Sequence, residues 1–285
     1  LVGSEMCIRD SIPTRDGKLL YEDSEGRFWR SYHFIENATC HQSVDRPVLF
    51  TNAAKAFGHF QKLLADYPAD TLHETIAGFH NTVDRYALFE KAVAEDKAGR
   101  AALVEKEIQF FLDRKADGTV VVDAIAKGQL PLRVTHNDTK LNNIMMDNET
   151  DEGICVIDLD TVMPGSVLYD FGDSIRFGAS TADEDEQDLS LVSMDLELFE
   201  AYTAGFLSEA GSSLTAEEIR LLPFSAKLLT LECGMRFLTD YLNGDTYFRI
   251  HREHHNLDRC RTQMKLVADM EHKMEDMHKI VEKYV

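Results

Sequence analysis

The chain has 285 residues, of which 44% are hydrophobic, and its formal net charge is −20 at pH 7. This size and composition are typical of a globular protein with an ample core, while the negative charge argues against nucleic acid or an anionic membrane surface as a partner, because both would repel it. No apolar run approaches the roughly 18 residues that a membrane span needs, and the scattered cysteines predict reduced thiols in a cytoplasmic protein: Cys7, Cys40, Cys155, Cys233 and Cys260.

In chain order, the first predicted element is a strand-rich segment at 19–36. Apolar residues at spacings of three and four then predict three amphipathic helices, at 51–67, 86–95 and 100–115. Pro68 is expected to end the first of them. Short apolar runs predict strands that form a small platform, around 119–122, 132–135, 144–147 and 154–157.

The last third of the chain has long helical patterns, at 185–209, 215–241 and 257–283. Thr215 and Glu218 have the spacing of a capping box, and Pro223 is expected to kink or divide the helix that they begin. We interpret the acidic cluster at 183–188 as a solvated helix N-terminus that the helix dipole stabilises. A mainly helical body with a small β platform predicts an α+β fold.

The most informative motif, at 136–143 (HNDTKLNN), lies between two predicted strands. Asp138 is followed five residues later by Asn143, and a second carboxylate, Asp158, comes fifteen residues beyond that. Phosphoryl transfer from a nucleoside triphosphate needs a carboxylate that orients and deprotonates the attacking hydroxyl, with an Asn and an Asp that hold magnesium at the phosphates. A chance Asp- and Asn-rich turn would leave Asp158 and Asp160 unexplained, since carboxylates next to a buried strand are costly without a cation or donors.

These residues resemble the catalytic core of the aminoglycoside phosphotransferase and choline kinase superfamily, a distant relative of the protein kinases. The resemblance implies a protein-kinase-like fold with ATP and Mg²⁺ as cofactors. It implies that Asp138 is the catalytic base and that Asn143 and Asp158 bind the magnesium. It also implies that His136 braces the catalytic loop and that Lys140 lies on the γ-phosphate.

A narrower resemblance is to the N-acetylhexosamine 1-kinase branch of this superfamily. It rests on the catalytic motif together with 157–178 (IDLDTVMPGSVLYDFGDSIRFG), 28–36 (FWRSYHFIE) and 78–82 (GFHNT). Members of the branch phosphorylate the anomeric hydroxyl of GlcNAc or GalNAc. The resemblance therefore implies a small-molecule sugar as the partner of this chain, which we expect to be a monomer.

In that branch an Arg and a Tyr from the C-terminal half contact the sugar, and Arg236 and Tyr247 match their positions. A guanidinium can donate two hydrogen bonds to sugar oxygens, and a phenol offers a flat apolar face with a polar tip. Two alternatives stay open at this point. Arg236 could simply pair with Asp240 one helical turn later, and Tyr247 could be an ordinary loop aromatic.

Further acidic residues follow the second motif. The resemblance implies that Asp170 accepts hydrogen bonds from the catalytic loop and so supports its geometry, and we expect Asp173 to be structural. Asp160 is open between a metal contact and a carboxylate that braces the loop.

The resemblance also divides the chain. Residues 1–11 match nothing in the family and are expected to be a non-native leader, 12–50 to be a remnant of the nucleotide-binding lobe and hinge, and 51–285 to be the catalytic and substrate-binding lobe. Neither a Gly-rich phosphate loop nor the lobe's lysine is recognisable in the first part. An inactive kinase-fold binding module is therefore one alternative, and an aminoglycoside, choline or homoserine kinase is another.

Overall fold

The computed structural model describes residues 11–285 of the protein, so the predicted leader lies outside the described residues except for Ser11. Helices form most of the described chain: α1 (Pro47–Leu63), α2 (Thr82–Glu95), α3 (Glu105–Leu112), α4 (Val120–Ala126), α5 (Val167–Gly178), α6 (Leu196–Ala210), α7 (Ala216–Asn243) and α8 (His255–Glu282). The strands are short: β1 (Ser11–Ile12), β2 (Tyr21–Glu22), β3 (Phe28–Trp29), β4 (Ser31–Tyr32), β5 (Ala38–Thr39), β6 (Arg133–Thr135), β7 (Ile144–Asp147), β8 (Gly153–Val156) and β9 (Met163–Gly165).

The strands pair in small antiparallel sheets, which together with the helices confirm the predicted α+β class. β7 lies between β5 and β8, β6 pairs with β9, and the N-terminal strands pair as β1 with β4 and β2 with β3. Ile144 lies opposite Val156, and the Ile157 N–H donates to the Asn143 carbonyl at 2.9 Å. The register therefore brings the ends of the two predicted motifs side by side.

Two hydrophobic clusters form the core. The first is built mainly by α1, α5, α6, α7 and α8, and includes Phe50, Phe57, Phe171, Tyr202 and Phe206. The second lies between α2, α3, α7 and α8, and includes Tyr86, Phe89, Phe111, Leu238 and Cys260. α5 reaches α7 closely at Gly172, where a Cβ atom would lie 2.4 Å from the Ser225 carbonyl oxygen.

The strand predicted at 119–122 is wrong, because these residues end a short 3-10 turn and begin α4. Val121 and Ala124 are buried there at a helical spacing of three. Packing of this helical face therefore overrides the strand preference of the β-branched run.

The helix predicted from 185 begins only at Leu196, because the Asp195 side chain caps it by accepting from the backbone N–H groups of Glu197 and Leu198. The interpretation of 183–188 as a helix N-terminus is accordingly wrong. Two of its carboxylates instead pair with cations: Glu184 contacts Arg176 at 2.9 Å, and Asp185 contacts Arg252 at 3.2 Å.

The capping box predicted at the start of α7 is confirmed. Thr215 Oγ1 accepts from the Glu218 N–H at 3.2 Å, and Glu218 Oε2 accepts from the Thr215 N–H at 2.7 Å. Pro223 lies inside this helix without dividing it. Among the described helices, none combines the length and apolarity needed to cross a membrane.

Candidate active site

The loop that carries Asp138 connects β6 to β7 and is held from below by Asp170 on α5. Asp170 is fully buried, and its carboxylate accepts from the backbone N–H groups of His136 at 3.0 Å and Asn137 at 2.7 Å, and from the Gln61 side chain at 2.6 Å. Burial raises the pKa of Asp170 and the donors act against this rise. The hydrogen bonds expected from the catalytic loop are present.

His136 links the two motifs through its ring nitrogens. Nδ1 accepts from the Asp138 N–H at 3.3 Å, and Nε2 lies 2.9 Å from the Ile157 carbonyl oxygen. Because a carbonyl can only accept, this arrangement assigns the proton of the neutral ring to Nε2. The side chain therefore ties the backbone at Asp138 to the residue that precedes Asp158.

The Asp138 carboxylate has a partner on each oxygen. Lys140 Nζ contacts Oδ1 at 3.0 Å, and Asn143 Nδ2 donates to Oδ2 at 3.1 Å and to the Asp138 carbonyl at 2.8 Å. Burial would lower the pKa of Lys140, but the charge and hydrogen bond of Asp138 outweigh it and raise this pKa. Lys140 is thus a permanent cation beside the carboxylate.

Asp158 and Asp160 follow β8 on an exposed turn. Asp158 adopts a left-handed conformation with φ 60°, and its side chain makes no hydrogen bond within residues 11–285. Asp160 forms an ion pair with Arg30 from the N-terminal part of the chain. Thr161 completes the turn by donating to the His136 carbonyl at 2.6 Å.

The donor set at this edge fits magnesium. No group of three or more His, Cys, Asp or Glu side chains suited to a metal occurs in the described part of the chain, but Mg²⁺ typically takes one or two carboxylates and completes its shell with phosphates and water. Asn143 donates through Nδ2, which leaves its amide oxygen as a possible ligand. Asn143 and Asp158 lie at adjoining ends of β7 and β8.

A cleft of about 590 Å³ opens above Asp138, and four of the predicted site residues line it together: Asp138, Lys140, Arg236 and Tyr247. Asn143, Asp158, Asp160, His136 and Asp170 lie outside its lining. The structure thus separates one set of predicted residues that faces the cleft from another set that lies beside or beneath the loop of Asp138.

Arg236 points between two aromatic rings, 5.5 Å from the centre of Phe79 and 5.6 Å from that of Phe248. The alternative pairing of Arg236 with Asp240 is wrong, because Asp240 accepts instead from the backbone N–H groups of 246–248 at 2.9 Å. This carboxylate holds the loop in place, and Tyr247 on that loop is 71% exposed.

Charged residues line the cleft, and the sequence assigned several of them no role in it. Cationic side chains on its walls outnumber carboxylates, five to four: Lys140, Arg176, Arg236, Arg249 and Arg259 against Asp138, Asp173, Glu184 and Glu232. Asp173 pairs with Arg176 at 2.8 Å, in keeping with a structural residue, but its second oxygen is buried without a hydrogen-bond partner in residues 11–285.

The most important residue missed is His80 on the cleft wall, which contacts both Glu232 and the catalytic loop. The only signal for it was its place in the GFHNT segment. Its partners are 57 and 152 residues away along the chain, a pairing that periodicity and local motifs do not reveal.

The fold is similar to those of solved small-molecule kinases. A microcompartment-associated aminopropanol kinase is 17% identical, with a TM-score of 0.57 over 97% of this chain and 78% of that one. An aminoglycoside phosphotransferase from Alicyclobacillus acidocaldarius is 10% identical, with a TM-score of 0.65 over 98% and 79%. A choline kinase from Cryptosporidium parvum is 14% identical, with a TM-score of 0.54 over 95% and 75%.

At these identities the similarity establishes the fold, which is the protein-kinase-like fold that the sequence resemblance implied. The sequence itself matches the family model described as the phosphotransferase enzyme family (APH) over residues 17–205. This match covers more than half of the chain and includes both the catalytic loop and the turn with Asp158. The chain belongs to the phosphotransferase enzyme family.

Proposed function

We propose that this protein transfers the γ-phosphoryl group of ATP to the anomeric hydroxyl of an N-acetylhexosamine. The observation that carries the proposal is that Asp138, Arg236 and Tyr247 line the same cleft. These are the residues that match the base and the sugar contacts of the branch that the sequence resembles.

In the proposed reaction Asp138 accepts the proton of the anomeric hydroxyl. The sugar oxygen bonds to the γ-phosphorus, the bond from that phosphorus to the bridging oxygen breaks, and ADP leaves with the electron pair. Lys140 lies 3.0 Å from Asp138. Its positive charge would therefore lie next to the phosphoryl group that is being transferred, where charge stabilisation lowers the barrier.

Asn143 and Asp158 would hold the magnesium ion. When bound, the ion neutralises charge on the β- and γ-phosphates. The chain's own contribution is to keep these two ligands at one edge, since the Ile157 N–H to Asn143 carbonyl bond of 2.9 Å locks the strand ends that carry them.

The charge of the cleft supports a neutral sugar over a cationic acceptor. All four of its carboxylates are already paired: Asp138 with Lys140, Asp173 with Arg176, Glu184 with Arg176, and Glu232 with His80. Aminoglycoside and choline acceptors carry positive charge and would meet an excess of cationic side chains there. The Arg236 guanidinium, with no carboxylate within ion-pair distance among the described residues, is suited to donate to acyl or hydroxyl oxygens.

The direct test is phosphoryl transfer from labelled ATP with Mg²⁺ to GlcNAc, GalNAc, choline and kanamycin. We expect sugar 1-phosphate as the product, loss of turnover by about 10²- to 10⁴-fold in Asp138→Asn, and unchanged turnover in Asp123→Asn, an exposed carboxylate on α4. Transfer to choline or kanamycin and not to either sugar would contradict the proposed sugar acceptor. If none of the four compounds is phosphorylated, the result would favour a binding module.

A further inference from the structure

His80 is 8% exposed and lies on the cleft wall with both ring nitrogens bonded. Nδ1 lies 2.9 Å from Glu232 Oε1, and Nε2 lies 3.1 Å from the Asn137 carbonyl oxygen. A carbonyl and an ionised carboxylate can only accept, so both nitrogens must donate. The geometry is that of an imidazolium.

The partner on α7 is held as a carboxylate. Glu232 Oε2 accepts from the Thr82 hydroxyl at 2.6 Å. Burial would raise the pKa of Glu232, but the hydrogen bond and charge of His80 and the Thr82 donor outweigh it and lower this pKa. In the same way, burial would lower the pKa of His80, but Glu232, together with the Asn137 carbonyl and Asp173, outweighs burial and raises it.

The acceptor of the other bond is the peptide group that immediately precedes the proposed base. Its carbonyl oxygen, from Asn137, receives the His80 bond, and its N–H, from Asp138, donates to His136 Nδ1 at 3.3 Å. Two histidines therefore hold opposite ends of one peptide plane. Asn137 has φ 65°, a left-handed conformation that asparagine adopts more readily than most residues other than glycine.

We propose that His80 is a positioning residue whose imidazolium fixes the peptide plane before Asp138 and ties it to the acceptor-binding part of α7. Glu232 lies one helical turn before Arg236, so one chain of hydrogen bonds runs from that turn through His80, the peptide and His136 to the carbonyl before Asp158. The inference rests on the proposed function for its kinetic consequences but not for the charge state of the ring.

The titratable groups that face the ring come from α7 and α5. From α7 comes Glu232, and from α5 come Asp173, which acts across space on His80, and the Tyr169 ring at 5.0 Å. Lys140 acts on Asp173 and Arg236 acts on Glu232, so each carboxylate that faces His80 is itself next to a cation. The imidazolium is therefore expected to persist until the pH rises through its raised pKa, above the ordinary value of 6.5.

The first test reads the ring itself. In protein labelled with ¹⁵N-histidine, with the His80 signals identified by their loss in His80→Gln, we expect both ring nitrogens to carry protons at pH 7 and to lose one at higher pH. Glu232→Gln keeps one side-chain oxygen that can accept the His80 hydrogen bond but removes the negative charge. The same loss of a proton should therefore occur at lower pH. A neutral ring at pH 7 in the unaltered protein would overturn the proposal, whether or not any acceptor is phosphorylated.

The second test reads the consequence for turnover of the acceptor that the unaltered protein phosphorylates. We expect His80→Gln to lower kcat by about 10- to 100-fold, the usual effect of losing a hydrogen bond to a charged group, with a much smaller change in the KM of the acceptor. kcat of the unaltered protein should fall as the pH rises through the pKa of His80, and Glu232→Gln should shift that fall to lower pH.

His59→Gln is the matched control, because His59 also faces a glutamate, Glu209 at 3.6 Å, but on the exposed side of α1. It should leave kcat and its pH profile unchanged. The positioning role would be contradicted if kcat of Glu232→Gln fell at the same alkaline pH as that of the unaltered protein. An unaltered kcat in His80→Gln would contradict it as well. Absence of turnover in the unaltered protein would count against the proposed function alone, since the ring measurement decides the inference.

Discussion

The proposed base Asp138 and the proposed metal ligand Asp158 belong to neighbouring loops, yet they are held in different ways. The loop of Asp138 rests on buried partners, with Asp170, His136 and His80 each bonded to its backbone. Asp158 and Asp160 lie on an exposed turn, where the Asp160 side chain is 62% accessible and has Arg30 as its ion-pair partner.

The difference follows from what each group is proposed to do. A base must stand within hydrogen-bond reach of one oxygen before the reaction begins, so its backbone is fixed in advance. A magnesium ion arrives with the nucleotide and brings phosphate oxygens as further ligands, so its carboxylate needs to be accessible and unpaired. Substitutions on the two sides should therefore separate loss of rate from loss of stability.

The largest effect is expected for Asp158→Asn. Replacing a carboxylate with an amide weakens magnesium binding, and the ion's charge stabilisation is worth several kcal/mol, so kcat/KM for ATP should fall by about 10²- to 10⁴-fold. Because Asp158 is exposed, the free energy of unfolding should change by less than about 0.5 kcal/mol. Steady-state kinetics across Mg²⁺ concentrations and urea denaturation measure both. Near-normal turnover would remove Asp158 from the metal site.

Asp170→Asn should have the opposite character. An amide has one acceptor oxygen, and its NH₂ group would face a backbone N–H that now lacks a partner, which costs about 2–3 kcal/mol at a buried site. Urea denaturation checks this value, with Asp123→Asn as the control. An unchanged midpoint would show that the loop does not depend on the carboxylate.

A smaller effect is expected for Arg236→Lys at the acceptor side. Lysine keeps the charge but cannot donate a paired set of hydrogen bonds from a plane, so the KM of the sugar should rise by about tenfold, equivalent to about 1.4 kcal/mol. The KM of ATP should stay constant. Equal changes in both values would indicate a general distortion and not a lost sugar contact.

The smallest effect is expected for Arg30→Ala. Both partners of the Arg30–Asp160 pair are largely accessible, 42% and 62%, and exposed ion pairs contribute about 1 kcal/mol or less. The unfolding free energy should fall by no more than that, and the difference should shrink as salt is added. A larger, salt-independent loss would mean that the exposed turn is more rigid than its contacts indicate.

The sequence predicted the position and the framing strands of the loop at 136–143 well because the pattern that indicates them is local. The spacing from Asp138 to Asn143 and the strands around both are contained in a short segment, and the bond from Asp170 to the loop was expected from the resemblance. Arg236 and Tyr247 were found on that basis too, and the structure brings them to the same cleft as Asp138. Their roles, like those of Asp138, Lys140 and the magnesium ligands, stay predictions.

The failures have a common physical cause, which is pairing between distant segments. Val120 to Val122 have the composition of a strand but pack as a helix, and Asp185 of the acidic cluster pairs with Arg252, 67 residues along the chain. The sequence around His80 contains no signal that distinguishes a hydrogen-bonded histidine of the cleft wall from a histidine on the surface. Tertiary contacts decided each of these cases, and they outweigh intrinsic preference.

Asp240 has a consequence for how the acceptor site can change. Its carboxylate binds the main-chain N–H groups of 246–248 and the Asn256 side chain, so the path of this loop does not depend on which side chains the loop carries. Tyr247 can therefore be exchanged for other residues while the backbone keeps its course. Variation of three consecutive residues above one fixed carboxylate is a simple route by which such a protein could acquire a different substrate.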